Sequence, residues 1–264
     1  MKRYFAMFKV SIQDVLQSRS VEVVWFLLSC LNTFSILLFW IAAINHKSVT
    51  GSISVPQIQL YYLLLLFAGQ TLMSHVEESV SRYDIKEGGL SKFLLRPISY
   101  FWFRYWTELP WRFAGGIMSV ASFIVFSFIF HIGLPIPPLA TVPLLLLLLI
   151  STNVLAFTYK MLLSLPTFWI TDSWALFEVM EVIVIIMSGF LMPLSFFPDI
   201  MQRLAYSLPF AYMVFVPVQA MLGQLSLIQM VQGFGMQLFW IAVLGLTYRF
   251  VWKKGISLYT GVGM

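Results

Sequence analysis

Six stretches of the chain are apolar over about the 20 residues that a helix rising 1.5 Å per residue needs to cross ~30 Å of hydrocarbon. They run from Val23 to Ala43, Ile58 to His75, Phe113 to Ile132, Leu139 to Thr158, Ala175 to Leu194, and Phe234 to Trp252. Before the first, Phe5, Phe8, Ile12, Val15 and Leu16 recur at helical spacing while Lys2, Lys9, Gln13 and Gln17 fall elsewhere. That pattern predicts an interfacial amphipathic helix over 1–20, lying in the plane of a membrane. The whole pattern predicts an all-α membrane protein of about six transmembrane helices. No soluble second domain, low-complexity tract or internal repeat interrupts it, so 1–264 reads as one transmembrane domain.

Two connections exceed ordinary length. The first, 76–112, carries Arg82, Asp84, Lys86, Glu87, Lys92, Arg96, Arg104 and Glu108; the second, 195–233, is apolar and broken by Pro198, Pro209 and Pro217. Cytoplasmic loops hold an excess of Lys and Arg. With both termini cytoplasmic, only Lys47 and Arg203 of the 16 Lys and Arg lie outside. A further crossing between Phe210 and Leu222 would move Arg249, Lys253 and Lys254 outside and is too short to span. The 76–112 loop is therefore expected in the cytoplasm and 195–233 outside.

Composition agrees with a bilayer as solvent: 60% of residues are hydrophobic and 10% charged, against roughly 25% charged in a soluble domain. The 9 Trp, 11 Tyr and 25 Phe are enough to form belts at both interfaces. A net charge of +5 is spread over the ends of apolar runs and forms no nucleic-acid patch, so no nucleic-acid partner is expected. Lys2 and Arg3 precede an amphipathic stretch and a full-length span, unlike a cleaved signal peptide. The lone Cys30 excludes an internal disulfide and a multi-thiolate metal site.

In the first long loop, Ile85 to Ile98 contains a glycine pair, a short turn with Leu90, Phe93 and Leu94 on one face, and a proline stop. Such a turn can plug a groove on a soluble partner or rest on anionic headgroups; its spacing suits either. In the second region, Ser188 to Pro198 and then Leu208 to Tyr212 place prolines in apolar chain. Non-helical backbone at membrane depth survives only against protein or a water-filled cavity, so a re-entrant segment before the last span is expected.

Ile85 to Ile98 resembles the G-x-L-x-x-x-L-L-x-P signature of the cytosolic loop in bacterial type-2 ABC exporter permeases. Ser188 to Pro198, with the later L-x-P and aromatic residue, resembles the same family's S-G-x-x-x-P-L-S-x-x-P. The resemblance implies a multi-pass permease in the bacterial inner membrane. Its partners would be a cytosolic ABC ATPase dimer and a second permease, the same chain or a sister, within membrane lipid. The chain would hold no cofactor; ATP and Mg would sit in the partner ATPase. It further implies that Gly88, Leu90, Phe93, Leu94, Leu95, Arg96 and Pro97 couple to the ATPase. Gly189, Pro193, Pro198 and Pro209 would form an outer translocation gate.

Glu178 and Glu181 are three apart on the fifth span, Glu181 about 9 Å along the axis from Ala175. Intramembrane carboxylates default to a functional reading unless wetted or paired, and Lys160 is an available partner. Glu77 and Glu78 read as interfacial. Gly115, Ser119 and Ser122 form a small-residue stripe for close helix contact, within one chain or between two. The chain has no G-x-x-x-x-G-K-[ST] loop, no H-E-x-x-H and no G-x-S-x-G, so no ATPase, zinc-protease or nucleophile-elbow chemistry of its own is expected. An intramembrane enzyme using Glu178 or Glu181, or a non-transporting assembly subunit, are the alternatives to a permease.

Overall fold

Residues 2–46, 54–133 and 137–260 are described by a computed structural model of the chain. Lys47 lies outside them. Every regular element among them is helical. The long ones are α1 (Lys2–Gln17), α2 (Arg19–Asn45), α3 (Val55–Leu72), α6 (Tyr100–Phe130), α7 (Val142–Ser164) and α12 (Leu227–Ile256). Shorter ones are α4 (Val76–Ser79), α5 (Ser91–Leu94), α8 (Trp174–Met187), α9 (Asp199–Ser207), α10 (Phe210–Met213) and α11 (Phe215–Met221). A π-helical stretch, Val80–Lys86, continues α4.

Four helical stretches, containing α2, α6, α7 and α12, are long and apolar enough to cross a membrane. The pair formed by α9 and the α10–α11 segment, bent by 72°, meets the same test and makes a possible fifth. The other two expected spans are shorter. α3 holds 18 residues but carries Gln57, Gln59 and Gln70, and most of its surface is buried among its neighbours. α8 holds 14 residues and stops at Ser188, so the expected span from Ala175 to Leu194 is helical over little more than half its length. Gly189 takes φ +90°, a conformation an L side chain rarely adopts, and ends the helix there.

The third span begins earlier than its apolar run. α6 starts at Tyr100, not Phe113, so Arg104, Glu108 and Arg112 ride on a helix and not in a loop. α7 and α12 pack along each other at the centre, α3 lies against α2 and α6, and α1 lies along α6. There Phe8 meets the rings of Trp106 and Phe113 edge-on. Of the small-residue stripe, Gly115 meets the same chain: a Cβ there would stand 3.0 Å from Gln70, and one on the adjacent Gly116 2.9 Å from Thr71. These glycines let α6 approach α3 closely.

The apolar core divides in two. The larger part joins α3, α7, α8, α10, α11 and α12. The smaller gathers Val80, Ile85, Leu90, Tyr100, Phe157, Phe168 and Tyr248 at the end of the bundle that carries most of the Lys and Arg, here the basic end.

Candidate functional site

Three polar assemblies run from the basic end into the bundle. At the basic end, the chain leaves the π-helical stretch through Gly88, at φ +78°, and Gly89. A Cβ on Gly89 would collide with the Tyr83 carbonyl at 2.5 Å. This close approach lets the Leu90 N–H donate to the Asp84 carbonyl at 2.8 Å. Asp84 is itself buried, and its carboxylate accepts from Tyr100 Oη and, at 2.7 Å, from Arg104 Nε. The Arg104 guanidinium also lies over the rings of Phe93 and Tyr100. A carboxylate from the loop is thus clamped onto the first two turns of α6 by charge-assisted hydrogen bonds.

The residues expected to couple to a partner are split by this clamp. Leu90 is fully buried and Phe93 half-buried against Tyr100 and Phe103. The expected shared face of Leu90, Phe93 and Leu94 is therefore corrected: Leu90 faces the core, because the tight glycine turn aims it inward. Leu94, Leu95, Arg96 and Pro97 project to the surface, Leu95 with 89% of its area exposed.

The second assembly lies deeper. Lys160 of α7 is buried and donates to Glu77 Oε1 of α4 at 2.7 Å and to Glu181 Oε2 of α8 at 2.8 Å. Glu77, expected at the interface, is 4% exposed. It is the neighbouring Glu78 that faces out. Glu178 and Glu181 do not act as a pair: Glu181 bonds Lys160, whereas Glu178, one turn earlier on the same side of α8, is exposed and makes no bond to it. An ammonium between two carboxylates meets its desolvation cost with two strong hydrogen bonds, and it fastens three helices at one point. Beside it, Ser81, Thr167 and Ser173 share hydroxyl hydrogen bonds of 2.8 and 2.9 Å.

Where α3, α6 and α7 meet, Asn153 donates to the Thr71 carbonyl at 3.0 Å and accepts from Tyr105 Oη at 3.1 Å. The buried guanidinium of Arg112 lies over the Phe157 ring at 5.5 Å. Its Nη1 donates to the Asn153 carbonyl at 3.4 Å, while Nε and Nη2 find no hydrogen-bond partner among the described residues, so the aromatic face offsets only part of the burial.

The third assembly surrounds the broken helix after α8. Its free carbonyls have named donors: Tyr61 Oη reaches Gly189 O at 2.7 Å, while Tyr62 Oη and Trp40 Nε1 reach Leu191 O at 2.7 and 3.1 Å. Non-helical backbone in an apolar setting requires such partners. From Pro198 the chain runs through α9, turns at Pro209 and returns through α10 and α11. The turn is deep. Gln237, near the middle of α12 and fully buried, donates to the Tyr212 carbonyl at 2.9 Å and to Thr152 Oγ1 at 2.7 Å, and accepts from Ser151. Phe210 packs edge-on against Tyr159. Of the expected gate residues, Gly189 and Pro193 lie at the capped carbonyls, Pro198 precedes α9 and Pro209 forms the turn after it.

Sequence reasoning did not single out Gln237, Asp84, Trp40, Tyr61 or Tyr62. A lone amide in an apolar run was the available signal for Gln237; the tyrosine pair reads equally as an interfacial belt.

Compared with known protein families, residues 30–263 match the family described as ABC-2 family transporter protein. No curated protein matches the chain.

Proposed function

The chain belongs to the ABC-2 family of transporter proteins and is a multi-pass permease subunit of an ABC transporter; on that premise we propose that it forms the translocation path of an exporter. In this reading a separate cytosolic ATPase dimer, holding ATP and Mg, pushes on residues 85–98, and substrate leaves past Gly189–Pro209. A second permease, the same chain or a sister, completes the path in a bacterial inner membrane, with both termini in the cytoplasm.

The observation that carries this reading is the exposed Leu94–Pro97 knuckle on a rigid mount. Apolar side chains held outward by a buried leucine and a clamped carboxylate suit a transmitted push better than a flexible loop would. From the mount, the chain runs without interruption back into α4, whose Glu77 is tied through Lys160 to Glu181 on α8. α8 ends at Gly189. A displacement of the knuckle therefore has a covalent and ionic route to the far segment, built from packed elements.

The test is co-purification with the ATPase subunit expressed alongside. Leu94→Glu and Leu95→Glu are expected to abolish both co-purification and drug- or lipid-stimulated ATP hydrolysis while the permease stays in the membrane. Retained complex and full stimulation would refute the coupling role. A cysteine at position 92 in a Cys30→Ser background should react with an impermeant maleimide only in inside-out vesicles; reaction in intact cells would reverse the orientation.

A further inference from the structure

A groove of about 720 Å³ opens between α5, the first turns of α6, the middle of α7 and the last turns of α12. It borders the first assembly, sharing Phe93 and Tyr100 with it. Its charged lining residues are Arg96 and Arg249, with no carboxylate among them. Both arginines are exposed, and neither makes an ion pair among the described residues. The Arg96 guanidinium lies over the Phe93 ring, at 5.7 Å.

Away from the arginines the groove becomes an apolar trough along α12. Ile241, Ala242 and Gly245 line it, and a Cβ built on Gly245 meets nothing within 4 Å. From Ile241 to Arg249 the trough measures about 12 Å along the axis at the helical rise. Trp102 and Trp252 are also in the lining, the latter one helical turn from Arg249, and indole rings are favoured at the boundary between hydrocarbon and water. The groove therefore has a cationic mouth, an aromatic collar and an acyl-sized apolar tail.

We infer that this groove holds one anionic phospholipid, its phosphate between Arg96 and Arg249 and an acyl chain along Gly245. Charge complementarity selects the occupant. A zwitterionic lipid brings an ammonium that finds no carboxylate in the lining, whereas a phosphatidylglycerol-type headgroup leaves its charge to the two guanidinium groups, which bind phosphate bidentately. Arg96 belongs to the exposed knuckle, so a bound lipid would bridge the knuckle to α12.

Native mass spectrometry of the purified full chain, loaded with an equimolar mixture of phosphatidylglycerol and phosphatidylcholine of matched acyl chains, tests this. One phosphatidylglycerol should be retained in preference. Arg96→Gln and Arg249→Gln should each lower its retention about fivefold, as expected for one cation near a lipid phosphate, and leave phosphatidylcholine adducts unchanged. Lys253→Gln with Lys254→Gln, exposed but outside the groove, should change nothing. Gly245→Leu should displace the lipid with both arginines intact. Equal retention of the two lipids would overturn the inference, as would an effect of the lysine pair matching that of the arginines. So would a Gly245→Leu variant that binds normally, or displacement by free glycerol 3-phosphate, which would make the groove a site for a soluble phosphate.

Discussion

Lys160 Nζ lies 2.7 Å from Glu77 Oε1, joining the last turns of a long apolar helix to a four-residue helix at the root of the 76–99 connection. Both groups are buried, so each is the other's main compensation for lost water. Removing the cation leaves Glu77 charged in an apolar site, a loss of about 3–5 kcal/mol for a broken buried pair. Lys160→Met should therefore lower the thermal unfolding temperature in detergent more than Glu181→Gln, whose carboxylate is 36% exposed and can find water. An equal or larger effect of Glu181→Gln would contradict this ordering.

The split between Leu90 and Leu94 predicts opposite phenotypes four residues apart. Leu90→Ala empties a fully buried site and should cost about 2–5 kcal/mol of stability. Leu94→Glu changes an exposed position and should leave the stability within about 0.5 kcal/mol of the parent. Thermal unfolding beside ATPase co-purification separates the two; a destabilised Leu94→Glu would mean that the knuckle is packed and not presented.

At Gly189, any side chain meets two obstacles. The backbone lies at φ +90°, and a Cβ would stand 2.9 Å from Tyr61 Oη. Gly189→Ala should cost about 1–3 kcal/mol as backbone strain and loosen the carbonyl that Tyr61 holds. Tyr61→Phe removes the donor without strain and should cost about 1 kcal/mol. Transport assays should show Gly189→Ala impaired more than Tyr61→Phe, with membrane insertion unchanged; the reverse order would mean that the hydrogen bond, and not the turn, sets the geometry.

Gln237 fixes the tip of the hairpin. Gln237→Leu leaves the Tyr212 carbonyl without its donor in a dry site, a penalty of about 1–3 kcal/mol. Amide exchange over 210–215 should then rise relative to the parent while exchange in the middle of α7 stays slow. Unchanged exchange at the tip would show that packing of Phe210 on Tyr159 suffices.

The long helices were legible because uniform apolar runs have few alternatives to a membrane-crossing helix. Errors came where charge and burial coincide. Arg104, Glu108 and Arg112 read as loop residues and hid the first turns of α6, yet Arg104 is neutralised by Asp84 and Arg112 sits on an aromatic face. Both compensations are contacts between residues far apart in sequence. Ser188 and Gly189 look like small residues that a span tolerates; only the tyrosine and tryptophan donors from α2 and α3 make ending the helix there affordable. Lys160 was identifiable as a partner for Glu181, but Glu77 was hidden by its neighbour Glu78, since one residue of helical rotation separates inside from out.

The shortness of α8 also acts on its surroundings. Fourteen residues of helix cover about 21 Å at the helical rise, well under the ~30 Å depth of an average hydrocarbon layer. Val179 and Val182 turn outward along it. The helix alone therefore cannot match that depth, and the apolar segment that follows it, with Leu191 exposed, has to supply the rest of the flank.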